Sequence, residues 1–203
     1  MDLPVSDFRD DILEQVYRNR VVIITAETGA GKSTQVPRYL LEAGFRVVVT
    51  EPRRIAARTL AARVAEEYGE ELGRTIGYRT AIDGKWSAET QCLYCTDGLE
   101  LVRELMGKQY NHDVLVLDEV HEWNLNMEVL MAWAKRRMRR GSPFKLVVMS
   151  ASVDEEAIST YFNRAAVIKI LGRLFEINER PSGSSIENDT ASLLKKGRNV
   201  LVF

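Results

Sequence analysis

Residues 21–34, Val-Val-Ile-Ile-Thr-Ala-Glu-Thr-Gly-Ala-Gly-Lys-Ser-Thr, constrain this chain more than any other stretch. The β-branched apolar run Val21–Thr25 has the composition of a buried strand, and glycines follow at 29 and 31. Lys32-Ser33-Thr34 then opens a helical pattern that Gly44 closes. A strand, a glycine loop and a helix in direct succession bring several backbone N–H groups and a helix N-terminus to one point. That point suits an anion. Ala26, Glu27, Thr28, Gly29, Ala30, Gly31, Lys32, Ser33 and Thr34 are therefore the candidate phosphate-binding residues. Gly29 and Gly31 supply backbone conformations that side chains obstruct. Lys32 reaches the β- and γ-phosphates of a nucleotide, and the Ser33 hydroxyl holds its Mg²⁺. Ala26 stands where the motif usually has glycine, which costs little if its φ is negative.

Strands and helices alternate along the rest of the chain. A helix with Ser6 as its N-cap precedes the first strand, with Ile12, Leu13, Val16 and Tyr17 on its apolar face. Further strands are expected at 46–50, 76–82, 91–95, 113–118 and 145–150. Helices are expected at 34–43, 54–68, 99–106, 125–139 and 154–162, with Val129, Leu130, Trp133 and Met138 marking the buried side of the long one. The basic run Lys135–Arg140 complements the dipole at that helix's C-terminus. The pattern specifies an α/β fold, a mostly parallel sheet with helices on both faces and ligands at the carboxyl ends of the strands.

Composition adds mainly exclusions. The net charge of −1 over 203 residues makes no global field for polyanions, so any nucleic-acid contact must come from local arginines. The opening residues have neither a basic nor an apolar leader pattern, and no run is long enough to span a bilayer, so a cytoplasmic protein without membrane contact is expected. The two cysteines, Cys92 and Cys95, lie three apart in a short strand, so their sulfurs point to opposite faces and make neither a redox pair nor half a zinc site.

Asp118-Glu119-Val120-His121 follows its apolar strand as a Walker B element does. Asp118 would hold Mg²⁺ through water, and Glu119 would orient and deprotonate the water that attacks the γ-phosphate. From here a family resemblance becomes specific. Ala26–Thr34, Thr50-Glu51-Pro52-Arg53-Arg54-Ile55-Ala56-Ala57, Thr96-Asp97-Gly98, Asp118–His121 and Ser150-Ala151-Ser152 resemble, in order, motifs I, Ia, Ib, II and III of DEAH-box (RHA-type) helicases of superfamily two. The resemblance runs from about residue 10 to 170 and implies a RecA-like P-loop NTPase domain, the first of two.

It also implies roles. Pro52, Arg53, Arg54, Thr96, Asp97 and Gly98 would hold the sugar-phosphate backbone of a single strand, and Arg63 would stack on the nucleotide base. His121 would stand on the γ-phosphate side and link hydrolysis to Ser150, Ala151 and Ser152 and to the partner domain, and Glu119 would join Ser33 and Asp118 around the metal. Glu51, where the family has Gln, places an extra negative charge beside the strand path, and Arg79 is displaced from the family's arginine in Gly77–Ala81.

The expected domains are 1–171, complete, and 172–203, a linker and the beginning of a second RecA-like domain. Gly172-Arg173-Leu174-Phe175 resembles the entry to that domain. Ala191–Lys196 is expected as a helix and Asn199–Phe203 as a central strand, so the second domain is expected to continue beyond Phe203. The function implied is ATP-dependent strand translocation or unwinding, with RNA the expected strand and the second domain in cis. The chain by itself is expected to be monomeric and to bind ATP·Mg²⁺ with negligible turnover. The rival reading is a nucleotide-dependent switch or scaffold that binds a protein partner.

Overall fold

The computed structural model describes residues 3–107, 112–171, 181 and 184–202. The chain divides into two compact units, Met1–Arg173 and Leu174–Phe203. In the first, the strands are β1 (Val21–Ala26), β2 (Val47–Glu51), β3 (Ile76–Arg79), β4 (Gly84–Lys85), β5 (Cys92–Thr96), β6 (Val114–Leu117), β7 (Lys145–Ser150) and β8 (Ala166–Ile170). They form one eight-stranded sheet in the order β4-β3-β5-β2-β6-β7-β1-β8. Every pairing is parallel except that of the two-residue β4 with β3. The central strands are buried on both faces, which is why they are continuous apolar runs instead of alternating ones.

Helices α1 (Arg9–Arg18), α2 (Lys32–Glu42) and α3 (Arg54–Tyr68) belong to the first unit, as do α4 (Asp97–Leu105), α5 (Leu125–Arg139) and α6 (Glu155–Tyr161). Strand alternation sorts the core into two layers. Val22, Ile24, Val49, Tyr94 and Val116 pack with Ile12, Val36, Leu40, Ala61 and Val64 of α1–α3. Val21, Ile23, Val48, Leu93 and Leu115 pack with Leu101, Met127, Leu130 and Ile158 of α4–α6. Cys92 falls in the first layer and Cys95 in the second, both buried and unpaired, so the expected divergence of their sulfurs holds. No helix among the described residues is long and apolar enough to cross a membrane.

Several boundaries differ from the sequence reading. Residues 4–8 form a 3₁₀ turn and α1 starts at Arg9, so Ser6 caps no α-helix. Pro4 sets the turn, and the Val5 N–H bonds to Ala30 O at 3.1 Å, which ties this segment to the glycine loop. Ala26 is the last residue of β1 and not part of the turn. The strand expected at 76–82 ends at Arg79, because Thr80 turns back to accept at its hydroxyl from the Asp83 N–H, 3.1 Å away. On α5 the fully buried positions are Met127, Leu130, Met131 and Ala134, while Val129, Trp133 and Met138 pack only partly against the core. Strand β8 was not foreseen.

In the second unit, α7 (Ile186–Lys195) is capped by Ser185, whose hydroxyl accepts from the Asn188 N–H at 3.4 Å. Residues 199–202 form no strand, since a strand needs a neighbour to satisfy its ladder and none pairs there among the described residues. The expected domain entry at Gly172–Phe175 lies outside the described residues.

Candidate functional site

Because the strands run parallel, the segments after β1, β2, β5, β6 and β7 emerge at one edge of the sheet. Motifs far apart in sequence meet there. The loop after β1 turns through Gly29 (φ 85°) and Gly31 (φ 89°), both in the left-handed region where a side chain is strained. A Cβ on Gly31 would also approach Leu3 Cδ1 to 2.7 Å. Residues 28–29 and 31–34, with Leu3, Glu119 and the α3 residues Leu60, Arg63 and Glu67, line a hollow of about 320 Å³. Arg63 thus reaches the loop's cavity, where it pairs with Glu67 at 2.7 Å, and Glu67 also accepts from Gln35 at 2.7 Å.

Lys32 is 4% exposed and its Nζ lies 3.6 Å from Glu119 Oε1. The other Glu119 oxygen lies 3.2 Å from His121 Nδ1. The same ring nitrogen is 3.4 Å from Ser150 Oγ at the end of β7, and Ser150 in turn donates to Ser152 O at 3.1 Å. A chain of polar contacts therefore runs from the glycine loop through Glu119 and His121 to Ser150 and Ser152. Glu119 has φ 52°, a strained backbone for a residue with a side chain, and of the kind that collects at functional sites.

Asp118 is fully buried, and its Oδ1 accepts the Glu119 N–H at 2.8 Å. Burial pushes its carboxyl up. The Ser33 hydroxyl hydrogen-bonds it and favours the charged form, while nearby Glu119 and Lys32 pull in opposite directions. Its Oδ2 has no hydrogen-bond partner among the described residues. An orphaned, buried carboxylate oxygen beside a serine hydroxyl fits a divalent cation, whose preferred ligands are oxygens. The third expected metal ligand, Glu119, has its oxygens turned to Lys32 and His121 instead.

Glu51 corrects the sequence reading. The register sets Thr50 beside Leu117, so the next residues, Glu51 and Asp118, are neighbours across β2 and β6. Glu51 is 1% exposed, and its carboxyl is pushed up to about 10. Burial is the largest cause, followed by the charge of Asp118, a hydrogen bond to it, and the charge of Glu119, with Lys32 opposing. Glu51 Oε1 is a second buried oxygen without a donor among the described residues. A proton on Glu51 lets it donate to Asp118, which favours the neutral form of Glu51. Glu51 is therefore neutral and buried beside Asp118, and adds no negative charge to a strand path.

The other sequence-predicted residues are brought to the same edge. Arg53 precedes α3 and its Nη2 pairs with Glu122 Oε1 at 2.8 Å, while Arg54 opens that helix. Asp97 accepts the Gly98 N–H at 2.6 Å and, through its other oxygen, the Asn124 Nδ2 at 2.7 Å. Pro52 and Thr96 flank these groups at the ends of β2 and β5. Arg79 stacks over Trp86 at 5.1 Å.

Sequence reasoning missed Leu3, Gln35, Glu67, Glu122 and Asn124. Only Asn124 carried a local signal, an Asn directly before an apolar helical run. It also missed a buried ionic cluster where α4 meets α5. Glu100 pairs with Arg103 at 3.4 Å, and Glu104 lies 3.7 Å from both Arg137 and His112. Burial and the neighbouring Glu100 push Glu104 up to about 7, against the pull of Arg137. The two arginines already supply the positive charge that a metal would bring to these carboxylates.

A parallel sheet with a glycine loop after one strand and an acidic pair after another defines an α/β P-loop domain. Residues 6–160 match the DEAD/DEAH box helicase family, and the chain belongs to it. Membership implies nucleotide binding. The chain is 38% identical over 186 residues to the ATP-dependent RNA helicase HrpA of Escherichia coli (strain K12), covering 88% of this chain and 14% of that protein. It is 37% identical over 185 residues to the ATP-dependent RNA helicase HrpA homolog of Haemophilus influenzae (strain ATCC 51907 / DSM 11121 / KW20 / Rd), again 88% of this chain and 14% of the relative.

Proposed function

We propose that this chain is the ATP-binding first RecA-like domain, residues 1–171, of a cytoplasmic DEAH/RHA-type RNA helicase. Residues 172–203 would begin a second RecA-like domain acting in cis, and the chain by itself would be a monomer. The observation that carries the reading is the line of contacts Lys32–Glu119–His121–Ser150, which joins three separate motifs at one sheet edge.

In this reading the loop amides of residues 27–33 and Lys32 bind the β- and γ-phosphates, and Arg63 lies along the base. Ser33 and Asp118 would hold Mg²⁺, which would supply positive charge to the nucleotide phosphates. Glu119 orients the attacking water and takes its proton. His121 passes the state of the γ-phosphate side to Ser150 and Ser152. Arg53, Arg54 and the Thr96–Gly98 turn hold strand phosphates without reading sequence.

The test is binding on this chain. Lys32→Ala should abolish ATP binding in calorimetry while the fold survives, because the loop has no other cation. Single-stranded RNA should bind with an affinity that falls between low and moderate salt, and Arg53→Ala/Arg54→Ala should remove most of that salt dependence. Undiminished ATP affinity in folded Lys32→Ala overturns the loop assignment. RNA affinity indifferent to salt and to the arginines overturns the strand assignment.

A further inference from the structure

The loop after β6 is held at three points. Glu119 meets Lys32 at 3.6 Å, Glu122 meets Arg53 at 2.8 Å, and Asn124 donates to Asp97 at 2.7 Å. Asn124 is doubly occupied, since its Oδ1 accepts the Met127 N–H at 3.1 Å and caps α5. Trp123 sits between the last two holds. One neighbour in sequence is bonded to the arginine proposed to take strand phosphates, and the other to the aspartate of the Thr96–Gly98 turn proposed to do the same.

Its side chain is nonetheless left out. Trp123 is 52% exposed. The chain's other tryptophans are engaged, Trp133 edge-on to Phe144 at 5.5 Å and Trp86 beneath the Arg79 guanidinium at 5.1 Å. Trp123 has no ring, cation–π or hydrogen-bond partner among the described residues. A large indole held in water, on a backbone fixed by bonds at both of its sequence neighbours, is a preorganised apolar face.

Resting on the strand-binding reading above, we infer that Trp123 is a stacking platform for a nucleobase of the bound single strand. The phosphates of such a strand are held on one side by Arg53 and Arg54 and on the other by Thr96–Gly98, and Trp123 lies in the chain between the residues that meet these two holds. Every base has a π-face, so a tryptophan there adds affinity without choosing sequence.

The experiment compares two polyanions of equal length and charge, a single-stranded RNA and its abasic ribose-phosphate counterpart. Anisotropy is read at two salt concentrations on the wild-type chain, Trp123→Ala and Trp123→Phe. Trp123→Ala should weaken the base-bearing strand about 5- to 150-fold, leave the abasic strand and the salt slope unchanged, and be largely rescued by Trp123→Phe. Equal weakening on both strands overturns the inference, because the ring then serves the loop and not a base. Wild-type affinity for RNA in Trp123→Ala overturns it too, while leaving the strand-binding reading intact. If the wild-type chain binds neither polyanion, both fall together.

Discussion

Replacing Glu51 by Gln should stabilise the domain, by an amount that grows with pH. Glu51 is buried against Asp118, and its carboxyl is raised from 4.5 to about 10, so it is protonated across the neutral range. The unfolded chain loses that proton near pH 4.5 while the folded one keeps it. The folded state therefore binds more protons, and stability falls as pH rises from the unfolded value towards the folded one. At pH 7 the gap from 4.5 is 2.5 units, and at about 1.4 kcal/mol per unit holding the carboxyl neutral costs roughly 3 kcal/mol. At pH 5 the same product is below about 1 kcal/mol.

Gln keeps a donor for Asp118 and takes up no proton, so it escapes this cost. Attraction to Lys32 trims the gain, and we expect Glu51→Gln to be more stable by about 2–3 kcal/mol at pH 7, or about 4–12 °C in Tm for a domain of this size. Urea denaturation of both proteins at pH 5, 6, 7 and 8, with EDTA to keep divalent cations off Asp118, reads the difference directly. The difference reads Glu51 together with its effect on the adjoining Asp118, because the remaining groups are common to both chains. A gap that stays constant from pH 5 to 8, or a variant less stable throughout, refutes the protonated pair.

In a protein carrying both RecA-like domains, Glu119→Gln should keep ATP affinity and lower turnover about 10²- to 10⁴-fold, the usual worth of a positioned general base; full steady-state hydrolysis would place the base elsewhere. Arg137→Met removes a cation that Glu104 meets at 3.7 Å, and should cost roughly 3 kcal/mol at pH 8. That loss should shrink at pH 5, because Glu104, already raised to about 7, then takes a proton in place of its lost partner; a loss independent of pH in chemical denaturation would show that the pairing contributes nothing.

Much of the central sheet was legible because its strands are buried on both faces and leave continuous β-branched runs, as at Val47–Val49 and Val114–Leu117. Strand β8 was not, although Ile168 and Ile170 alternate with exposed Val167 and Lys169. The turn before it passes through Asn163 (φ 62°) and Arg164 (φ 68°), two left-handed residues that no glycine announces. The candidates in the glycine loop and in the Asp118–His121 turn could be proposed from spacing alone, because each lies within a few positions of its own strand.

What spacing could not supply is which motif faces which. Glu51 reads in sequence as a charge on a strand path because the sequence does not carry the register that sets it beside Asp118. The loop of residues 119–124 shows the same limit. Its Glu119 neutralises Lys32, and its Glu122, three residues on, neutralises Arg53. Those two cations lie twenty-one residues apart in sequence and are proposed for different anions. Each carboxylate taken alone is indistinguishable in the sequence from a solvated acidic turn. Only the parallel order of β2, β6, β7 and β1 brings one short segment within reach of both cations, so that each has a carboxylate of the same loop beside it.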